Sequence, residues 1–262
     1  MMGLFKKNLV IGMVHLRPLI GTPDYQNNNE EIIKLAIEDA KTLEKAGVDA
    51  IMIENMGDNP LAEKLNFEQA IFLSAVSALI KREVKIPIGL DAAFNDYKTG
   101  LAICKALDLD FVRLPVYVDT VIFHGGILYP VAVEATRYRK LLGAENVKIL
   151  ADIQVKYTYM LSKDISLVDS AKMAQSSGAD AVIVTGVSTG QQTPIEAIEV
   201  VKKNVKIPVL IGSGVSVSNV SEQFKIADGA IIGSAFKENK DISKPISLKL
   251  TKEFMEKAKE VK

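Results

Sequence analysis

Short runs of branched apolar residues recur along this chain, each separated from the next by about one helix's length, and no other feature limits the fold so strongly. Six of them lie at residues 9–14, 49–53, 86–90, 111–114, 148–153 and 180–184, and the stretch 205–236 holds two more. They are mostly apolar, with charged residues only near their ends, which is how a strand covered on both faces is written. Between them the spacing turns helical. Ile33, Ile37, Ala40 and Leu43 lie one turn apart within 30–46 and Gly47 sits where a C-terminal cap belongs. Similar patterns cover 67–81, residues around 97–107, a segment holding Arg137, Tyr138 and Arg139, and residues near 166–176 closed by Gly178. From Pro245 onward Ile246, Leu250, Phe254, Ala258 and Val261 share one helical face, a closing helix. Eight strands alternating with helices in 262 residues, with no Ser/Gly-rich linker, predict an α/β fold, a single (β/α)8 TIM barrel forming one domain over 1–262.

Composition narrows the partners. The 32 basic and 32 acidic side chains cancel, so nothing draws the chain in bulk to nucleic acid. Cys104 is the only cysteine, which excludes an internal disulfide and favours a reducing, cytoplasmic setting. The N-terminal apolar run breaks at His15 and Arg17, and we read neither a signal peptide nor an integral membrane segment. A homo-oligomer stays open. A faint repeat runs through the chain: Gly47-Val48-Asp49-Ala50 resembles Gly178-Ala179-Asp180-Ala181, and Val84-Lys85-Ile86-Pro87 resembles Val205-Lys206-Ile207-Pro208. The first pair is 178 − 47 = 131 positions apart, half the chain, so the two halves read as related half-barrels or as two uses of a common turn.

Barrels of this kind carry their functional groups at the carboxyl ends of the strands. Those ends hold His15, Glu54, Asn55, Asp58, Asp91, Asn95, Asp96, Arg113, Asp152, Lys156, Thr185 and Thr189. Asp49, Asp110, Asp180 and Asp228 lie just before strands and read as turn and capping residues. Within 205–236 two apolar runs end in Gly-Ser, at Gly212-Ser213-Gly214 and at Gly233-Ser234. Glycine lets backbone N–H groups approach an oxyanion and serine adds a donor, so these turns are the expected phosphate site, with a small phosphorylated metabolite as partner. The Thr185-Gly186 and Thr189-Gly190 loop lies one strand earlier and is either a ligand cover or a surface loop.

The reacting end falls to Asp152, Lys156, Glu54, Asp91 and His15. Lys156 suits an electrophile, a phosphate partner or a Schiff-base amine, since a desolvated lysine near another cation loses its proton more readily. Asp152 and Lys156 share parity, so both face the axis or pair with each other at the rim. Glu54, Asp91 and Asp152 come from three strands and make a candidate Mg2+ site, with substrate oxygens completing the shell. Otherwise no cofactor is implied. His15 ends a strand and is the better acid–base histidine; His124 lies in the long connection 115–130. Arg113, Asn55, Thr185 and Thr189 are expected to hold substrate.

Several segments resemble a known family. Ile11-Gly12-Met13-Val14-His15-Leu16 with Pro18-Leu19-Ile20-Gly21-Thr22-Pro23, Ile53-Glu54-Asn55-Met56-Gly57-Asp58 with Pro60, and Arg137-Tyr138-Arg139 are similar to the BtpA/SgcQ proteins. So are Leu150-Ala151-Asp152-Ile153 with Val155-Lys156, and Val184-Thr185-Gly186 with Thr189-Gly190. The resemblance covers nearly the whole chain and implies a (β/α)8 barrel. It also implies one of two roles, photosystem I biogenesis in one branch or a nucleosidase found with sugar-utilisation genes in another. The chain departs from the pattern at Ile20 (Pro in the family), Tyr157 (His), Asp91 and Phe94 (Asn and Arg), and His124-Gly125-Gly126 (Asp-Gln-Gly). These positions ring the mouth, so a shifted substrate or a lost activity is expected from them.

Overall fold

All eight apolar runs form parallel strands that close on themselves, in a computed structural model that describes residues 4–186 and 192–261. The barrel strands are β1 (Leu9–His15), β2 (Ala50–Glu54), β3 (Ile88–Asp91), β4 (Phe111–Leu114), β7 (Lys148–Ile153), β9 (Ala181–Val184), β10 (Val209–Ile211) and β11 (Gly229–Ile232). They pair in the order β1-β11-β10-β9-β7-β4-β3-β2. The helices between them are α1 (Asn29–Ala46), α2 (Phe67–Glu83), α3 (Tyr97–Leu107), α4 (Ala132–Leu141), α5 (Leu167–Ser176), α6 (Ile195–Lys202) and the short α7 (Val220–Gln223); α8 (Leu248–Lys259) closes the ring. Local chemistry fixes their ends. Asn66 and Gln69 form a reciprocal capping box on α2, Ser166 and Asp169 do the same on α5, and Gly47 ends α1 in the left-handed conformation at φ 89°.

Strand parity divides the core in two. Leu9, Ile11, Met13, Ala50, Met52, Phe111 and Leu150 fill the barrel interior, while Val10, Val14, Ile51 and Ile53 pack outward under the helices. A Cβ on Gly89 would lie 2.1 Å from the Phe111 ring, so that glycine is the space into which Phe111 fits. The inward series continues to the carboxyl ends. His15 follows Met13, Glu54 follows Met52, Asp91 follows Gly89, Arg113 follows Phe111 and Asp152 follows Leu150, each two residues on.

The amino-terminal end has its own repeated device. Asp49, Asp110, Asp180 and Asp228 each accept the N–H of a residue opening the neighbouring strand: Val10 at 2.8 Å, Ile88 at 2.9 Å, Ile149 at 3.0 Å and Val209 at 2.7 Å. Each aspartate returns its own N–H to the carbonyl of that same residue. Glu44 accepts the N–H groups of Lys85 and Ile86, and Gln175, 175 − 44 = 131 positions on, accepts those of Lys206 and Ile207. The half-chain repeat thus extends from sequence to matching side-chain contacts.

The connection 115–130 is not an irregular loop. It contains the hairpin β5 (Val121–Phe123) and β6 (Gly126–Leu128), turning through His124-Gly125, and β8 (Tyr159–Met160) from the next connection joins it as a third antiparallel strand. This small sheet stands over the carboxyl end of the barrel. Among the described residues no helix is long and apolar enough to cross a membrane.

Candidate functional site

A cavity of about 430 Å3 opens at the carboxyl ends of the strands. Glu54, Asp91 and Arg113 end β2, β3 and β4, Lys156 follows β7, Gly212-Ser213-Gly214 and Gly233-Ser234 follow β10 and β11 on the opposite arc of the ring, and His15 on β1 stands against Gly233. The strand register sets the neighbours, since His15 pairs with Glu54 and Glu54 with Asp91 across β1, β2 and β3. Three of the expected residues, Asp152, Asn55 and Thr185, lie close but outside the lining. Asn55 is buried, accepting the Ala93 N–H at 2.8 Å and donating to Asp58 at 2.8 Å, so its amide braces the loop after β3. Thr185 accepts the backbone N–H of Lys156 at 3.2 Å. Thr189 lies outside the described residues.

Arg113 organises the floor. Its Nε and Nη2 donate to the two oxygens of Asp152 at 2.7 and 2.9 Å, and its Nη1 donates to Asp91 Oδ2 at 3.1 Å. Asp152 is fully buried behind the guanidinium, so its ionic partner is Arg113 rather than Lys156. This arrangement also corrects the expected Mg2+ site. Arg113 occupies both oxygens of Asp152 and one of Asp91, and among the described residues no three or more His, Cys, Asp or Glu side chains converge for a metal. The set Glu54, Asp91 and Asp152 does not fit that ion.

The remaining charges are unevenly stabilised. Burial drives the Asp91 pKa well above the ordinary carboxylate value, Arg113 opposes it, and the negative Glu54 and Asp152 add to the rise. Its Oδ1 is buried and has no partner among the described residues. Glu54 goes the other way. Burial acts to raise it, but the hydrogen bond and charge of His15, 3.4 Å away, together with Arg113 and Lys156, bring it below its ordinary value. Lys156 is lowered, first by burial and then by the Arg113 cation, with the carboxylates opposing. No acidic side chain among the described residues comes within 4.0 Å of its amine. The result is a carboxyl shifted toward its neutral form, a carboxyl shifted toward its charged form and an amine shifted toward losing its proton, all lining one space.

Across the cavity the two turns are shaped by what surrounds them. A Cβ on Gly212 would meet Ile183 and Thr185 at 2.6 Å, and one on Gly233 would meet the His15 ring at 2.8 Å. Gly214 holds φ +73°, a conformation that other residues adopt only with strain. The N–H groups of Gly214 and Ser234 donate to no backbone carbonyl among the described residues. The Ser213 hydroxyl accepts the Gly186 N–H at 2.8 Å, tying the ends of β9 and β10 together.

The cavity roof was not visible as such in the sequence. Phe94 stacks on Phe123 with ring centroids 4.1 Å apart, His124 packs on Phe123 at 3.8 Å, and the His124 ring meets the Leu61 carbonyl at 3.1 Å. Leu61, Phe94, Phe123 and His124 therefore cover the mouth. Two short apolar runs, Val121-Ile122-Phe123 and Gly126-Ile127-Leu128, flanking the two-residue turn His124-Gly125, are the hairpin signal that would have found them. Asp58, Asn95 and Asp96 serve the scaffold: Asp58 accepts the Leu19 N–H, Asn95 is bonded both ways to the Val116 backbone, and Asp96 caps α3. A second cavity of about 630 Å3 lies beyond His15, Met56 and Ile242, which line both spaces.

These features define a (β/α)8 barrel with its titratable groups gathered in one cavity at the strand ends. The chain belongs to the BtpA family, whose sequence model matches residues 6–260. An uncharacterised protein of Pyrococcus furiosus is 38% identical over 95% of this chain and 94% of its own. The photosystem I biogenesis protein BtpA of Synechocystis is 31% identical over 91% of this chain and 84% of its own. Among solved structures, (S)-3-O-geranylgeranylglyceryl phosphate synthase of Thermoplasma acidophilum, in complex with its substrate sn-glycerol-1-phosphate, has a TM-score of 0.65 at 15% identity, covering 98% of this chain and 95% of that one. KGPDC of Streptococcus mutans gives 0.63 at 12% identity, over 98% and 99%. At these identities the likeness is one of fold. It agrees with the barrel expected from the strand count and with the family resemblance read from the motifs.

Proposed function

We propose that this protein is an enzyme acting on a phosphorylated sugar or nucleoside-like metabolite, cleaving a glycosidic bond or working as a lyase on the sugar. One observation carries the reading: a single cavity holds the two Gly-Ser turns on one wall and the Glu54, Asp91 and Lys156 set on the other. The N–H groups of Gly214 and Ser234, which donate to no backbone carbonyl among the described residues, suit a phosphate, and the neutral form favoured at Asp91 leaves a proton to give to a departing oxygen or nitrogen. Glu54, held ionised, steadies positive charge developing on the sugar. Arg113 has its nitrogens engaged by Asp152 and Asp91 and acts by fixing Asp91 rather than by gripping substrate alone. A barrel of the same fold whose solved complex contains sn-glycerol-1-phosphate is consistent with a phosphorylated ligand. The chemistry is that of a small cytoplasmic metabolite.

Thermal shift against a panel of phosphosugars and nucleotides tests binding. A ligand at about 100 times its Kd is expected to stabilise the fold by roughly 2.7 kcal/mol. Turnover of the ligand found is expected to disappear in Glu54→Gln while the thermal shift persists. A second reading, a non-catalytic factor assisting a membrane complex, is favoured by the outer face of the mouth sheet, where Ile122, Ile127, Tyr159 and Leu161 are exposed. The name of the Synechocystis relative points the same way. Stabilisation by a membrane extract and by no phosphorylated compound would replace the enzyme reading with this one.

A further inference from the structure

Lys156 is presented in an unusual way. It sits between Gln154 at φ +46° and Tyr157 at φ +64°, two residues with Cβ atoms in the left-handed region, where such side chains are strained. The surroundings hold that turn in place. The Gln154 N–H donates at 2.7 Å to Asp119, which is itself buried and accepts from Ser170 at 2.6 Å. The Lys156 N–H donates to Thr185, the Thr158 hydroxyl donates to the Val155 carbonyl at 2.6 Å, and the chain then enters β8, the third strand of the mouth sheet. Strain maintained by so many contacts marks a side chain whose placement matters. The amine lines the cavity with no acidic partner within 4.0 Å among the described residues, under the apolar cover of Phe94, Phe123 and Val155. Asp91 lines the same cavity, and its buried Oδ1 has no partner among the described residues.

We infer that Lys156 is an imine-forming nucleophile, and that the substrate is a phosphosugar whose carbonyl is exposed in its open-chain form. The inference rests on the phosphate reading of the Gly212 and Gly233 turns, which would place the sugar between the turns and Lys156. Nζ attacks the carbonyl carbon and the C=O π pair moves onto oxygen. That oxygen takes up the proton leaving the nitrogen, giving a carbinolamine. The Asp91 carboxyl then protonates the hydroxyl, water departs, and the nitrogen lone pair closes the C=N bond as an iminium ion. Asp91 ends as a carboxylate beside Arg113, 3.1 Å from Nη1, and beside the new positive charge. Burial and the Arg113 cation both favour the unprotonated amine that the first step needs.

Cyanoborohydride trapping tests this on the whole chain. The protein is incubated with ribose 5-phosphate, with glyceraldehyde 3-phosphate, or with unphosphorylated ribose, then reduced, digested and mapped by mass spectrometry, with melting temperatures measured in parallel. The expected result is a secondary-amine adduct at Lys156, of the sugar's mass less one oxygen atom, formed with a phosphosugar several-fold faster than with ribose. The adduct is lost from that site in Lys156→Arg, and the mapping on the unaltered chain stands without the variant. A phosphosugar that raises the melting temperature but leaves Lys156 unmodified overturns the imine while leaving the phosphate site intact. Absence of both the shift and the adduct overturns both, and equal modification by ribose overturns the phosphosugar assignment.

Discussion

Arg113 and its three oxygen contacts set the character of the cavity. Two are spent on Asp152, which stays hidden, and one on Asp91, whose other oxygen is buried with no partner among the described residues. Burial makes the charged form of Asp91 costly, so its pKa is higher in the folded chain than in the unfolded one. The sign follows from proton binding. Between the unfolded value near 3.8 and the raised folded value, the native state holds a proton that the unfolded state has lost, so stability falls as pH rises through that window. Asp91→Asn removes the titration and keeps an acceptor for Arg113. The variant is therefore expected to gain on the parent as pH rises from about 3 to about 8, read as urea midpoints. A difference independent of pH would show that Asp91 does not hold its proton.

Among the elements, the connection between β11 and α8 depends on one buried ion. Lys237 is 2% exposed; its amine donates to the carbonyls of Ile242 at 3.0 Å and Lys244 at 2.7 Å and lies 3.8 Å from Asp39 on α1. Asp39 in turn accepts the Ile246 N–H at 2.7 Å. This cluster pins residues 237–246 against α1 and so shapes the second cavity and, through Ile242, one edge of the first. Lys237→Ala leaves two carbonyls and a buried carboxylate without their cation. The expected loss is about 3 kcal/mol in chemical denaturation, because removing one partner of a buried pair costs more than the pair contributes. Lys237→Met with a loss below about 1 kcal/mol would show that packing of the stem matters more than the charge.

For the whole molecule, the paired aspartates at the amino end tie strands two by two around the ring. Asp49 with Val10 belongs to the first half and Asp180 with Ile149 to the second. Each aspartate changed to Ala leaves a strand-opening N–H unpaired, at an expected cost of about 1–3 kcal/mol. The two share no partner, so the double variant is expected to lose the sum within about 0.5 kcal/mol, measured by urea unfolding. A loss well short of the sum would mean the halves are not independent at this end. The barrel and its strand ends were legible because parallel strands buried on both faces need continuous apolar runs, and side-chain parity carries His15, Glu54, Asp91 and Arg113 inward. The hairpin signal in Val121–Phe123 and Gly126–Leu128 was present too, although the third strand, Tyr159–Met160, is too short to announce itself. Sequence therefore determined the fold, the end of the barrel that carries the chemistry, and the glycine turns. Only the tertiary structure decided that Asp152 binds Arg113 rather than Lys156, that Asn55 braces a loop, and that Lys156 has no acidic partner within 4.0 Å among the described residues. The reason is physical: periodicity fixes the direction of a side chain, but ionic partners and solvation depend on distances between strands far apart in the chain.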